Sequence, residues 1–158
     1  MDEVGTAPLS NRRLVIGVGN LDRGDDAVGR IVAQRLRLRQ LPDVDVIEDG
    51  GEALSLLSRF EGVDAVYLVD AAVSGAPPGA IRRFDVTTAP LPDAMATLST
   101  HGFGLAAAIE LARVLHRLPR LCIVYAVELD ACTMGAPLTQ AVEATVNVLI
   151  ARLCAEIA

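Results

Sequence analysis

Polar side chains that could do chemistry follow a glycine-rich turn near the start of the chain. Residues 14–29 read LVIGVGNLDRGDDAVG, so that an apolar segment leads into Asp22, Asp25 and Asp26. A dinucleotide-binding turn needs the pattern Gly-x-Gly-x-x-Gly, because the backbone must approach a pyrophosphate closely. Asp22 occupies the third glycine position, and carboxylates at the start of the next helix would repel a phosphate. The turn therefore favours a cation or a hydrogen-bond donor over an anion.

Two further candidates lie at the ends of other predicted elements. Asp70 follows the apolar segment 65–69, and His101 precedes an amphipathic segment. In open α/β sheets, ligands bind beyond the carboxyl ends of the strands, where Asp26, Asp70 and His101 are all expected. Two carboxylates and one imidazole suit a divalent first-row metal, and the same groups suit general acid and base catalysis. The residues alone leave both chemistries open.

Each candidate also has a structural interpretation. Aspartates such as Asp25 and Asp26 at the start of a helix are typical caps, although one could cap while the other faces the cleft. A buried Asp70 would need a partner. His101 precedes a helix, whose dipole disfavours the imidazolium and favours a neutral ring that can bind a metal. His116, near the end of a predicted helix, is interpreted as a solvated surface residue.

Cysteine and serine nucleophiles receive less support. Cys122 and Cys154 lie on a predicted buried strand and an amphipathic helix, where cysteine acts as a small apolar residue. Cys132 is predicted in a loop near acids, which would raise its pKa, so a Cys132–His101 pair is the weaker alternative. The sequence has no Gly-x-Ser-x-Gly elbow. Three cysteines without a Cys-x-x-Cys pair favour a reducing, cytoplasmic compartment.

The elements that must position these residues alternate between strands and helices. Apolar segments at 13–18, 44–48, 65–69 and 121–127 predict strands, and helical periodicity predicts helices after residue 28, near 53–57, from 105 and from 137 onward. Residues 81–85 carry two arginines, which suits an edge strand. The turn at 74–79 is too short for a helical crossover, so that strand should run antiparallel. Residues 87–100 are predicted as a loop with room for a short helix.

These elements predict a three-layer αβα fold with a mainly parallel, five-stranded twisted sheet and one antiparallel edge strand. A chain of 158 residues with 52% hydrophobic residues and no tryptophan suits one domain with an aliphatic core. That domain is predicted to span residues 12–158, after a short flexible leader at 1–11. The net charge of −6 argues against a nucleic-acid partner. No apolar run reaches the roughly 20 residues of a membrane-spanning helix.

Five short motifs, in this order and at this spacing, resemble the hydrogenase maturation endopeptidases. Members of that family trim the C-terminus of the nickel-iron hydrogenase large-subunit precursor. The motifs are GVGN at 17–20 with GDDAVG at 24–29, DGG at 49–51, LVDA at 68–71, STHGFGL at 99–105, and the loop that contains Glu128. Together they extend the resemblance from residue 13 to the final helix.

The resemblance implies an endopeptidase whose catalytic and metal-facing residues are Asp26, Asp70 and His101. It implies that Asn20 and the glycines shape the turn that holds Asp26, where some members have glutamate. The metal implied is nickel already inserted in the substrate, with no resident metal in the peptidase. The peptide bond could be broken by a water that Asp26 or Asp70 activates, by polarisation at the nickel, or by both.

Two other functions remain open at the level of sequence. Another metal-dependent α/β hydrolase would turn over small peptides on its own, whereas a non-catalytic nickel-sensing assembly module would bind a precursor without cleaving it. The expected partner is the hydrogenase large-subunit precursor. Binding to nucleic acid or to a membrane is not expected. The chain is expected to be a monomer.

Overall fold

A computed structural model of the protein describes residues 11–95 and 104–158. The principal elements of these residues are β1 (Arg13–Val18), α1 (Val28–Arg37), β2 (Val44–Asp49), α2 (Ala53–Arg59), β3 (Ala65–Ala72), β4 (Ile81–Asp85), α3 (Leu105–Val114), β5 (Leu121–Glu128) and α4 (Gln140–Ile157). A short 3-10 helix at Gly24–Ala27 leads into α1. A second one, Asp93–Met95, lies in the segment predicted as a loop with room for a short helix.

The strands form one five-stranded sheet in the order β2-β1-β3-β5-β4. Strands β1, β2, β3 and β5 are parallel, and β4 pairs with β5 in the antiparallel direction. Because β4 directly follows β3 in the sequence without a crossover helix, it can reach the sheet edge only by reversing direction. The predicted sheet, with its antiparallel edge strand, is confirmed.

Alternation of side chains along the strands divides the core into two layers. One cluster joins β1, β3 and β5 to α2 and α3, and includes Leu56, Leu68 and Ile109. The other cluster joins the opposite sheet face to α1 and α4, and includes Val32 and Leu149. Helices therefore cover both faces, which confirms the αβα architecture.

Two element boundaries bear on the site and differ from the sequence prediction. Strand β3 continues to Ala72, so that Asp70 lies inside the strand rather than just beyond it. The reason is that β5 continues in parallel to Glu128 and pairs Ala72 with that residue. Residues 1–10, which belong to the predicted leader, lie outside the described residues. No helix in the described segments is long and apolar enough to cross a membrane.

Candidate functional site

Asp26 is held by a turn whose glycines permit very close packing. It lies in the 3-10 helix between β1 and α1, and its side chain is buried. A Cβ atom on Gly19 would lie 2.0 Å from the backbone oxygen of Asp26, and Gly19 has a φ of 146° that side-chain-bearing residues rarely adopt. A Cβ on Gly29 would lie 2.2 Å from the carbonyl oxygen of Val69. The glycines therefore allow the turn to press Asp26 against the carboxyl ends of β1 and β3.

Asp70 is the second buried carboxyl of the site, and only 2% of its surface is exposed. One of its oxygens accepts a hydrogen bond from the backbone N–H of Ala71 at 2.8 Å. Burial raises the pKa of Asp70 well above its ordinary value, and the nearby charge of Asp26 raises it further. The charge of Asp26 acts on Asp70 although the two residues are 44 positions apart in the sequence, because the start of α1, just after Asp26, packs against Val69 of β3. Such a pair can hold one proton between them and can bind a cation.

His101, the third predicted member of the site, lies outside the described residues. The nearest described helix, α3, begins at Leu105, which is buried in the same core cluster as Leu68 and Ala72. Side chains alternate along a strand, so Asp70 shares the sheet face of Leu68 and Ala72. The structure therefore brings Asp26 and Asp70 together, and the participation of His101 stays a prediction.

Asp25 does not cap the helix, contrary to the expectation from its position. Its fully buried carboxylate accepts hydrogen bonds from the backbone N–H groups of Asp130, Ala131 and Thr139 at 2.8, 3.0 and 2.7 Å, and from the Thr139 hydroxyl at 2.8 Å. The N-cap of α1 is Ala27, which makes no side-chain cap bond. Burial alone would raise the pKa of Asp25, but these hydrogen bonds outweigh it and lower the pKa below its ordinary value. Asp25 thus fixes the loop between β5 and α4 against the turn that carries Asp26.

Glu128 has a comparable role that the sequence did not reveal. It is buried at the end of β5, and its carboxylate accepts hydrogen bonds from the N–H groups of Ser74 and Gly75 at 2.8 and 2.9 Å and from the Ser74 hydroxyl at 2.7 Å. Arg82 in turn donates to the Ser74 hydroxyl at 3.3 Å. The sequence predicted Glu128 in a loop, as part of one motif of the family resemblance, whereas the structure places it as the last residue of β5. Neither signal gives information about partners 53 or more positions away.

Cys132 lies beside the turn, but its environment does not activate it. Burial raises the pKa of its thiol, and the charge of Asp26 raises it further, whereas the backbone N–H of Asp26 acts in the opposite direction. This confirms that nearby acids disfavour the Cys132 thiolate. Burial also raises the pKa of Cys122 to about 12. The three cysteines are free, and these thiols give no support to a cysteine nucleophile.

The described residues alone do not complete a metal site. Within residues 11–95 and 104–158, no group of three or more histidine, cysteine, aspartate and glutamate side chains is arranged to hold a metal ion. Asp26 and Asp70 can supply oxygen ligands, so a cation bound here would need further ligands from another source.

Comparison with protein families gives a match over most of the chain. A model of the hydrogenase maturation protease family matches residues 28–156. The hydrogenase expression/formation protein HupD of Bradyrhizobium diazoefficiens is 32% identical over 137 residues, which cover 85% of this chain and 71% of that protein. The HupD protein of Thiocapsa roseopersicina is 29% identical over 122 residues, which cover 74% of this chain and 55% of that protein.

Solved structures with the same fold agree with these matches. The hydrogenase maturating endopeptidase HybD from Escherichia coli superposes with a TM-score of 0.77 at 26% identity, over 92% of this chain and 91% of that one. The [NiFe] hydrogenase maturation protease HycI from Thermococcus kodakarensis gives a TM-score of 0.73 at 27% identity, over 93% and 92% of the two chains. The fold of the present chain is thus shared along nearly its whole length.

Proposed function

The chain belongs to the hydrogenase maturation protease family, and from this membership we propose that it removes the C-terminal extension of a nickel-loaded hydrogenase large-subunit precursor. The family match and the likeness to maturation endopeptidases support peptidase activity. The proposal adds the substrate, the place of the cut and the requirement for nickel.

The single observation that carries the proposal is the buried pair of carboxyls, Asp26 and Asp70. Burial raises the pKa of Asp70, and the charge of Asp26 raises it further, because two ionised carboxylates shielded from water repel each other. A divalent cation between them removes that repulsion and favours the ionised form of both. A precursor that carries nickel would therefore bind here more tightly than the same precursor without nickel.

His101 completes the proposed set of residues that face the nickel. A neutral imidazole together with carboxylate oxygens suits a divalent first-row metal. In this proposal the nickel belongs to the substrate, and these three side chains hold the loaded precursor so that its scissile bond lies at the carboxyl pair. A carboxylate of the pair then accepts a proton from the attacking water as the water oxygen adds to the peptide carbonyl, and the resulting carboxylic acid gives that proton to the amine nitrogen as the C–N bond breaks.

The test is incubation of the protein with nickel-loaded and nickel-free precursor, followed by mass measurement of the products. We expect the loaded precursor alone to lose its C-terminal extension. Asp26→Asn and His101→Ala should fold normally and lose processing by a factor on the order of a hundred or more. His116→Ala is the matched control, because it removes the other histidine of the chain and should process normally.

Three outcomes would contradict the proposal. Equal cutting of nickel-free and nickel-loaded precursor would exclude recognition of the metal. Unimpaired cutting by both Asp26→Asn and His101→Ala would exclude the proposed site. Stable binding of the loaded precursor without any change in its mass would indicate an assembly module rather than a peptidase.

A further inference from the structure

Arg82 is a cationic side chain near the carboxyl pair whose hydrogen-bonding capacity is only partly used. It lies in β4 and is exposed. Its Nη1 donates to the Ser74 hydroxyl at 3.3 Å and to the Met95 sulfur at 3.7 Å, and its guanidinium lies 5.8 Å from the centroid of the Phe84 ring. Among the described residues, Nε and Nη2 of Arg82 have no acceptor and no carboxylate pairs with the guanidinium. The next residue, Arg83, is by contrast paired with Glu156.

The register of the sheet places Arg82 level with the site. Asp70 of β3 pairs with Ala126 of β5, and Ala126 pairs with Arg82 of β4. Residues paired across neighbouring strands project from the same sheet face, so Arg82 and Asp70 share a face. Strands lie about 4.8 Å apart, so the two backbones are separated by about 10 Å across the sheet.

A hydrogen bond to the half-buried Ser74 orients the Arg82 side chain. The Ser74 hydroxyl donates to the buried carboxylate of Glu128 at 2.7 Å and accepts from Arg82. Ser74 therefore joins a strand-end carboxylate to the guanidinium and limits the rotamers of Arg82. A guanidinium held in this way keeps free N–H groups that match the geometry of a carboxylate.

We propose that Arg82 binds a carboxylate of the precursor within about four residues of the scissile bond, since an extended chain covers about 10 Å in three residues. The inference rests on the proposed function, because it takes Asp70 to mark the point of cleavage. A peptidase with a net charge of −6 repels acidic segments in general. A local cation at the edge strand would overcome this repulsion at one position and so set the register of the bound chain.

The first test compares the kinetics of precursor processing by the wild type, Arg82→Gln and Arg82→Lys. We expect Arg82→Gln to raise KM roughly tenfold with little change in kcat, and Arg82→Lys to restore part of the loss. The KM of the wild type should rise more steeply with ionic strength than that of Arg82→Gln, because only the wild type has an attraction between the guanidinium and the carboxylate that salt can screen. Arg117→Gln is the matched control, because it removes another exposed arginine, at the opposite end of the sheet, and should change neither constant.

The second test identifies the carboxylate by substitution in the precursor, once the mass of the product has given the cleavage site. In one arm, each acidic residue within four positions of the cut is changed to its amide. In the other arm, the terminal carboxylate of the precursor is converted to an amide. The change that removes the partner of Arg82 should raise the wild-type KM and should leave the KM of Arg82→Gln unchanged.

These outcomes separate the inference from the proposed function. Suppose that the wild type processes the loaded precursor. If Arg82→Gln then has the same KM as the wild type, or if no change in the precursor raises the KM of the wild type alone, the carboxylate site is wrong. The peptidase assignment is unaffected in either case. A fall in kcat at constant KM would also overturn the inference, because it would indicate a role in positioning the reacting groups. If the wild type does not cleave the loaded precursor, the proposed function fails first and the inference fails with it.

Discussion

Asp25 and Asp70 are both buried carboxyls near one turn, yet their surroundings shift their pKa values in opposite directions. Burial raises the pKa in each case. Four hydrogen bonds outweigh this effect at Asp25. Asp70 accepts one hydrogen bond from the described residues, from the Ala71 N–H, and the charge of Asp26 raises its pKa further. The ionised carboxylate of Asp25 therefore stabilises the fold, whereas ionisation of the buried Asp70 carboxyl costs stability. Substitution by asparagine should separate the two roles.

Asp25→Asn should destabilise the protein by about 2–4 kcal/mol, because an amide group cannot accept the hydrogen bonds that two carboxylate oxygens accept. Urea unfolding at neutral pH measures this loss. The folded-state pKa of Asp25 is lowered, so its stabilisation is present above the ordinary value of 3.8 and is lost as the pH falls through the folded-state pKa. The wild type and the variant should therefore converge in stability under acidic conditions. Equal stability at neutral pH would show that the hydrogen bonds of Asp25 contribute nothing.

Asp70→Asn should instead stabilise the protein at neutral pH by an amount on the order of 1 kcal/mol, while it abolishes processing. Asparagine keeps the acceptor for the Ala71 N–H and removes the repulsion with Asp26. A raised folded-state pKa means that the wild type loses stability as the pH rises above 3.8, until the folded-state pKa is reached. The advantage of the variant should grow over that interval and vanish below it. A loss of stability at neutral pH as large as that of Asp25→Asn would contradict this account.

At the scale of elements, apolar patterning predicted most of the fold. Continuous apolar segments and helical spacing identify the strands and helices, and the short turn before residue 81 was enough to predict that β4 runs antiparallel. The order β2-β1-β3-β5-β4 and the extension of β3 past Asp70 depend on pairing between distant segments, which no local pattern encodes. The same limit applies to the site. Asp26 and Asp70 were found from their positions at strand ends, but the partners of Asp25 lie 105 or more positions away.

Gly29→Ala tests whether close packing of α1 on the sheet positions Asp26. In an ordinary helix this substitution would stabilise by roughly 1 kcal/mol. Here the new Cβ would lie 2.2 Å from the carbonyl oxygen of Val69 and 2.4 Å from that of Val18, so α1 would have to move away from the sheet. We expect a loss of about 3 kcal/mol in the free energy of unfolding and a loss of processing.

Gly50→Ala is the matched control for that substitution. No heavy atom lies within 4 Å of a Cβ built on Gly50. Stability should change by less than about 0.5 kcal/mol and processing should be normal. If Gly29→Ala behaves like Gly50→Ala in urea unfolding and in processing, the packing of α1 does not position the site.

At the scale of the whole molecule, the sheet has two chemically distinct ends. Asp70 lies near the carboxyl end of β3, and Asp26 lies in the 3-10 helix beyond the carboxyl end of β1. The amino ends of β3 and β5 border a groove of about 530 Å³ whose lining includes Phe60, His116 and Arg117. His116 is exposed there, which confirms its interpretation as a surface residue. An eight-residue strand such as β3 separates the two ends by about 23 Å.

His116→Gly tests whether the two ends are independent. His116 has a φ of 56°, a conformation that costs a side-chain-bearing residue about 1 kcal/mol and costs glycine little. The variant should therefore resist urea as well as or better than the wild type. Processing should be unchanged, because the Debye length at physiological salt is about 8 Å and the site lies well beyond it. A slower rate of precursor cleavage in a variant of normal stability would mean that the precursor contacts both ends of the sheet, and that the substrate-binding surface extends far beyond the carboxyl pair.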